Sequence, residues 1–102
     1  MSTKSKARKY IEKLNDGPIT FGQYVEAHRL CDDLSQAGLA RRMRVSLAYL
    51  CDVEKGRRLV SAERAAGFAK ALGYPVGPFV EAALDDQLRK AGLKMRVSLN
   101  AA

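Results

Sequence analysis

The chain has 102 residues, enough for one compact domain with a single core but too few for two ordinary domains. Hydrophobic residues make up 47% and charged residues 28%, a balance typical of a globular chain and not of a disordered one. Lys and Arg outnumber Asp and Glu by 18 to 11, and the net charge of +7 favours a polyanionic partner. Nucleic acid is the first candidate for that partner, and an anionic membrane surface is the alternative.

No apolar run approaches the roughly 20 residues that span a bilayer, and the N-terminus lacks the apolar segment of a signal peptide. We therefore expect a cytoplasmic protein. The two cysteines, Cys31 and Cys51, are too few for a disulfide scaffold and are predicted to be ordinary thiols.

The first predicted elements are a basic N-terminal extension and a helix. Residues 4–14 carry apolar side chains at helical spacing among basic ones, which predicts a short amphipathic helix or a frayed segment. Thr20 and Gln23 form a capping-box pattern, which predicts a helix over residues 21–31 with Ile19 packed against Tyr24. The apolar face of this helix is expected to carry Phe21, Tyr24, Val25 and, beyond His28, Leu30 or Cys31.

Two short helices follow. Ser35 is predicted to cap a second helix that ends at Met43, and Ser46 to cap a third helix that ends at Gly56. Short helices joined by a turn of three or four residues match the helix-turn-helix unit, whose second helix enters the major groove of DNA.

Two further helices complete the predicted set. Ser61 begins a fourth helix that ends at Gly73, and Pro78 suits the first turn of a fifth. After Gly92 the hydrophobic pattern alternates as in a short strand. Because a lone strand is unstable, this segment is predicted either to pair with a second copy across a dimer or to be a flexible tail. Its alternating apolar residues are Met95, Val97 and Leu99.

The stretch LSQAGLARRMRVSLAYLCDVEKGRR, which begins at Leu34, resembles the Xre-type, phage Cro/repressor-like helix-turn-helix family. The resemblance continues through Ser61 and the AKALG stretch, and it covers roughly residues 20–84. It implies an all-α, five-helix repressor-like domain over residues 19–84. We expect this domain to lie between a basic N-terminal extension (1–18) and a C-terminal extension (85–102) that carries the short strand and is a candidate for dimerisation. The matching signals are Ser35-Gln36, Leu39-Ala40, Val45-Ser46, Leu50, Val53-Glu54 and Gly56-Arg57-Arg58.

The same pattern separates packing residues from residues that face DNA. Small and apolar residues of the motif are predicted to pack the second helix against the third, namely Leu39, Ala40, Val45, Leu50 and Val53. By the resemblance, the base-reading positions correspond to Leu47, Ala48 and Asp52, with Tyr49 beside them.

These base-reading residues favour a particular chemistry. Leu47 and Ala48 offer only apolar contact, for example to a thymine methyl group, whereas Asp52 accepts a hydrogen bond from cytosine N4 and repels phosphate. Specificity is therefore expected to depend partly on DNA shape, on Tyr49 and Lys55, or on a site rich in T and C.

The candidates for contact with the DNA backbone are mostly basic. Gln36 lies in the first turn of the second helix, where exposed N–H groups and the helix dipole favour a phosphate. Arg44 occupies a turn position where the family usually has Gly, so a left-handed residue is expected at a modest cost. For Lys55, Arg57 and Arg58 the alternative is a charged loop that is solvated and makes no contact with DNA. The full set is Gln36, Arg41, Arg42, Arg44, Ser46, Lys55, Arg57 and Arg58.

One charged pair has a predicted structural role. Arg29 and Glu54 resemble the Arg and Glu by which the family ties its first helix to its recognition helix. We expect an ion pair between them, and the alternative is two separate surface charges.

Catalysis and metal binding are not predicted. His28 and Cys31 are one turn apart, but two ligands without a third do not form a zinc site, and His28 is expected at the surface or its boundary. The adjacent carboxylates Asp32-Asp33 and Asp85-Asp86 do not share a helix face as an acid/base pair would. We expect no enzymatic activity, no metal and no cofactor.

The sequence therefore predicts a regulator, with repression the expected sign, that binds double-stranded DNA as a homodimer on a pseudo-palindromic operator. The alternative is an antitoxin that binds a toxin protein and represses its own operon. The sequence does not decide between these two functions.

Overall fold

The computed structural model describes residues 18–100. Within them the chain forms five helices and no strand, which confirms the all-α, five-helix fold. The amphipathic helix predicted within residues 4–14, like the rest of residues 1–17, lies outside the described part. The helices are α1 (Phe21–Cys31), α2 (Gln36–Met43), α3 (Leu47–Glu54), α4 (Ala62–Leu72) and α5 (Val76–Lys90).

The first four helices begin at the side chains predicted to cap them. The Thr20 hydroxyl accepts a hydrogen bond from the Gln23 N–H at 3.1 Å, and the Gln23 side-chain oxygen accepts one from the Thr20 N–H at 2.9 Å. Ser35, Ser46 and Ser61 each accept from the N–H three residues further along the chain. These bonds satisfy donors that the first helical turn leaves without a partner, which is why local sequence determines the boundaries.

Three phenylalanines, one from each of α1, α4 and α5, form the centre of the core. The rings of Phe21 and Phe68 meet edge to face with centroids 5.4 Å apart, and those of Phe21 and Phe79 do so at 6.4 Å. Leu39 of α2 and Leu50 of α3 are fully buried in the same cluster. The short helices α2 and α3 therefore each turn one face to the core and leave the other to solvent.

The N-terminus of α1 is also held by α5. The Asp86 carboxylate accepts a hydrogen bond from the Phe21 N–H at 2.9 Å and pairs with Arg89. Arg89 also donates to the Ile19 carbonyl oxygen at 3.0 Å. Burial raises the pKa of Asp86 above its ordinary value, against the lowering effect of the Phe21 N–H and of Arg89.

The structure corrects the predicted inner face of α1. His28 is completely buried, not at the surface, and its ring packs against Tyr24, Tyr74 and Phe79. Its Nδ1 lies 2.8 Å from the Tyr24 carbonyl oxygen, so Nδ1 carries the hydrogen and donates it. Leu30 is 57% exposed and Cys31 is also exposed, so neither extends the apolar face. Arg29 is buried in their place.

The strand predicted after Gly92 is also wrong for the described chain. Residues 93–100 have no regular secondary structure, because no strand is present among residues 18–100 to pair with them. The Val97 N–H instead donates to the buried Asp85 carboxylate at 2.7 Å, which holds this segment against α5. Met95 and Leu99 remain exposed.

Helices α1 and α3 touch through their backbones at Gly22. A methyl group at this position would lie 2.1 Å from the Val53 carbonyl oxygen and 2.6 Å from that of Glu54. Both atoms belong to the main chain and cannot turn aside. Gly22 thus permits the close approach of the two helices.

We expect Gly22→Ala to destabilise the protein by about 1–3 kcal/mol or more, because α1 and α3 would have to separate. Gly67→Ala is the matched control, since the nearest atom to a methyl group there is Met43 Cε at 3.9 Å. This control should stabilise α4 by about 0.5–1 kcal/mol. Urea unfolding measures both changes, and equal stabilities of the two variants would contradict the close approach.

Candidate nucleic-acid interface

A tight turn connects α2 to α3. Arg44 has φ 57° and ψ 43°, the left-handed conformation expected for it from the sequence. The Val45 N–H bonds to the Ala40 carbonyl oxygen at 3.0 Å, which closes the end of α2, and Ser46 caps α3 directly afterwards. The direction of α3 is therefore set by a very short connection.

The faces of α3 divide as the sequence predicts. Leu50 and Val53 are buried at 0% and 1% exposure, whereas the Leu47 side chain is 48% exposed and Ala48 is exposed. Tyr49 and Asp52 are half-buried beside them. We call the surface formed by Leu47, Ala48, Tyr49 and Asp52 the reading face.

Asp52 on the reading face has a cationic neighbour. Its carboxylate lies 3.6 Å from the Arg57 guanidinium, and its carbonyl oxygen accepts from the Arg57 N–H at 2.9 Å. The Arg57 side chain is 65% exposed, so this pair is well solvated and contributes little to stability. Arg57 can therefore exchange Asp52 for another anion at low cost.

Arg29 and Glu54 form a bidentate ion pair between α1 and α3. Arg29 Nε lies 2.8 Å from Glu54 Oε2 and Nη2 lies 3.0 Å from Oε1, with the two side chains only 8% and 1% exposed. The hydrogen bond to Glu54 raises the pKa of Arg29 above its ordinary value, so the guanidinium stays charged. Arg29 Nη1 also donates to the Leu34 carbonyl oxygen at 2.9 Å.

Gln36 joins this pair from α2. Its side-chain nitrogen donates to Glu54 Oε1 at 2.9 Å, and its side-chain oxygen accepts from the Cys51 thiol at 3.4 Å. Both ends of the Gln36 amide therefore make contacts inside the protein, and the backbone N–H of Gln36 lies in the first turn of α2, where N–H groups have no partner within the helix. The contact between Gln36 and Glu54 joins residues far apart in sequence, and no local pattern indicates it.

The predicted basic residues flank α3 in the chain. Arg41, Arg42 and Arg44 precede it and are exposed, as are Lys55, Arg57 and Arg58 after it. Arg42 also donates to the Ala71 carbonyl oxygen in the last turn of α4 at 3.1 Å. The sequence did not indicate Arg64 of α4, whose guanidinium lies over the Tyr49 ring.

Residues 18–100 contain no group of three or more His, Cys, Asp or Glu placed to hold a metal ion. None of their helices has the length and apolar character of a membrane span.

Comparison with known proteins places these helices in a family. The family model described as "Helix-turn-helix domain" matches residues 20–81, which include α1 to α4 and the start of α5. Over 58 residues the chain is 41% identical to an "Uncharacterized transcriptional regulator in ATPase CF(0) region" of Rhodospirillum rubrum. The match covers 57% of this chain and 54% of that protein, so it spans about half of the relative's length. No solved structure matches significantly.

The buried pair predicts strong energetic coupling between Arg29 and Glu54. Either Arg29→Met or Glu54→Gln should cost about 3–5 kcal/mol, because each removes one partner and leaves the other polar group buried. The double variant should cost less than the sum of the two single changes. Urea unfolding of the four proteins measures the coupling, and a value of zero would show that the two charges act independently.

Proposed function

This chain belongs to the helix-turn-helix domain family, and on that premise we propose that it is a sequence-specific, double-stranded DNA-binding transcriptional regulator. The feature that carries the proposal is α3, whose inner side is fixed by Leu50, Val53 and the buried Glu54 while its reading face is open to solvent. The description of the R. rubrum relative as a transcriptional regulator supports the same role. We further propose that the chain is of the Xre type and acts as a repressor. Such a regulator requires no enzymatic activity.

We propose that the reading face enters the major groove and recognises bases largely by apolar contact. Leu47 and Ala48 are exposed and suit thymine methyl groups, and Asp52 suits cytosine N4. None of these side chains makes a bidentate contact to a purine, so DNA shape should supply part of the specificity.

We propose that affinity comes mainly from backbone contacts. Cations precede and follow α3, and they neutralise phosphates and release counterions. Ser46 belongs to the same set, because its oxygen accepts the Tyr49 N–H and leaves its own hydrogen to donate to a phosphate. The proposed backbone set is Gln36, Arg41, Arg42, Arg44, Ser46, Lys55, Arg57 and Arg58.

We propose that the regulator binds as a homodimer. Each chain offers one reading helix, and a pseudo-palindromic operator presents two half-sites about 34 Å apart, one helical turn. The proposed contacts are α5 and the C-terminal extension (85–102). The side chains of Leu93, Met95 and Leu99 are 47%, 61% and 41% exposed and would be covered by a second copy. No contact within residues 18–100 favours the antitoxin role over this one, so we do not propose it.

Affinity for duplex DNA should fall steeply with salt, and the basic residues around α3 should carry that dependence. Replacing Arg41, Arg42, Arg57 and Arg58 together with Ala should abolish tight binding at moderate salt. The double variant Arg57→Ala/Arg58→Ala should lower the slope of log affinity against log salt by about 2. The variant Lys70→Ala, which removes one exposed charge from α4, should leave the slope unchanged. Equal slopes for the wild type and for Arg57→Ala/Arg58→Ala would rule out the proposed docking surface.

Asp52→Asn should change base preference more than total affinity. The change removes a negative charge from the reading face and releases Arg57, which should tighten binding to unrelated duplexes. Selection from random duplexes, performed in parallel with the wild-type protein, reports the preferred bases. An unchanged profile would remove Asp52 from the reading face.

Light scattering tests the homodimer. We expect twice the monomer mass for the free protein, and two chains per operator in the complex, because two half-sites require two reading helices. Leu93→Asp/Met95→Asp should weaken the dimer through buried charge, with Leu30→Asp on α1 as the exposed apolar control. A monomer both free and on DNA would contradict the proposal.

A further inference from the structure

The ring of Tyr49 carries two guanidinium groups. The central carbon of Arg58 lies 5.1 Å from the ring centroid, and that of Arg64 lies 5.4 Å from it. Both distances are within the range of cation–π attraction. Arg58 follows α3 and Arg64 lies in the first turn of α4. Two guanidinium groups from different parts of the fold therefore lie near one ring. We call Tyr49, Arg58 and Arg64 the Tyr49 platform.

The ring has a fixed position. Tyr49 is half-buried and packs against the hydrophobic core, and Ser46 accepts a hydrogen bond from its backbone N–H in the first turn of α3. Arg58 and Arg64 are both exposed. The rigid ring therefore restrains two long side chains that would otherwise move in solvent, and this lowers the entropy that they lose on binding a partner.

A cation–π contact with the ring leaves the hydrogen-bonding capacity of the two guanidinium groups available. A guanidinium uses its flat face on an aromatic ring, whereas its N–H donors point outward in its own plane. That plane matches the geometry of a phosphate, which accepts two parallel N–H bonds.

The two positive charges of the platform favour the binding of an anion. Within residues 18–100 neither Arg58 nor Arg64 forms an ion pair, whereas Arg57 pairs with Asp52 and Arg29 with Glu54. Two like charges at one ring repel each other, and an anion bound between or beside them removes that repulsion. The platform adjoins Leu47 and Ala48 on α3, so a DNA helix read by those residues brings its phosphates near.

We propose that Tyr49 is a positioning residue that presents Arg58 and Arg64 to the DNA backbone, and that Arg64 extends the interface onto α4. The proposal rests on the DNA-binding function proposed above. It assigns to Tyr49 a role different from base reading, because its ring is occupied by the two guanidinium groups. Recognition by the platform is independent of base sequence, since phosphates are the same at every step.

The test compares five variants by fluorescence anisotropy on the selected operator and on a mixed-sequence duplex, each over a range of salt. Arg64→Ala should weaken binding to both duplexes by about fivefold at 0.15 M salt and lower the salt slope by about 1. Lys70→Ala removes the same charge from an exposed position of α4 and should change neither the affinity nor the salt slope. Tyr49→Phe keeps the ring and should bind within about twofold of wild type. Tyr49→Leu removes the ring. In that background Arg64→Ala should reduce the affinity for DNA by a smaller factor than it does in the wild type.

The platform would be overturned, and the proposed function left intact, by the following result. Arg64→Ala binds DNA with the affinity and salt slope of the wild type, whereas Arg57→Ala/Arg58→Ala binds more weakly. An equal loss in Lys70→Ala would also overturn it, because the effect would then be one of net charge. Failure of the wild-type protein to bind any duplex would overturn the proposed function and the platform together. Thermal unfolding of each variant confirms that it is folded, and Arg64→Ala and Tyr49→Phe decide the outcome if Tyr49→Leu does not fold.

Discussion

The orientation of α3 depends on the buried ion pair between Arg29 and Glu54. The pair joins α1 to α3, Arg29 also holds the Leu34 carbonyl oxygen after α1, and Gln36 attaches α2 to the same carboxylate. Removing charges from water is costly, and apolar replacements of such pairs are often as stable. Here several hydrogen bonds in fixed directions surround both charges. We infer that the main contribution of the pair is a defined angle between helices rather than net stability.

The same orientation is enforced from the backbone side by Gly22. Because Gly22 lies against the carbonyl oxygens of Val53 and Glu54, the last turn of α3 cannot move toward α1 or rotate about its axis without a clash or a gap. Fixing the inner side of α3 in this way leaves Leu47, Ala48 and Asp52 on the outer side without a role in the core. These three residues can therefore change at little cost to the fold, and with them the DNA sequence that we propose α3 reads.

Local chemistry made most of the fold predictable from the sequence. The side chains of Thr20, Ser35, Ser46 and Ser61 mark helix starts because each satisfies N–H groups within its own turn. The left-handed Arg44 followed instead from the family resemblance, because the family usually has Gly at this turn position.

The buried face of α1 was predicted incorrectly because two of its buried residues, His28 and Arg29, are polar. His28 continues the spacing of Phe21, Tyr24 and Val25 and is buried with them, although its ring nitrogens suggest a surface position. Arg29 is buried and Leu30 exposed for a related reason, since Glu54 supplies a partner that only the folded chain brings near. Contacts of this kind, including that of Arg64 with Tyr49, lie between distant parts of the sequence and leave no periodic signal.

In the proposed complex the reading face of α3 lies in the major groove of a DNA duplex. Methylation protection on the selected operator tests it directly, because dimethyl sulfate attacks guanine N7 in the major groove and adenine N3 in the minor groove. We predict protection of guanine N7 in two patches whose centres are about one helical turn apart. Protection confined to adenine N3, with guanine N7 as reactive as in bare DNA, would contradict the claim.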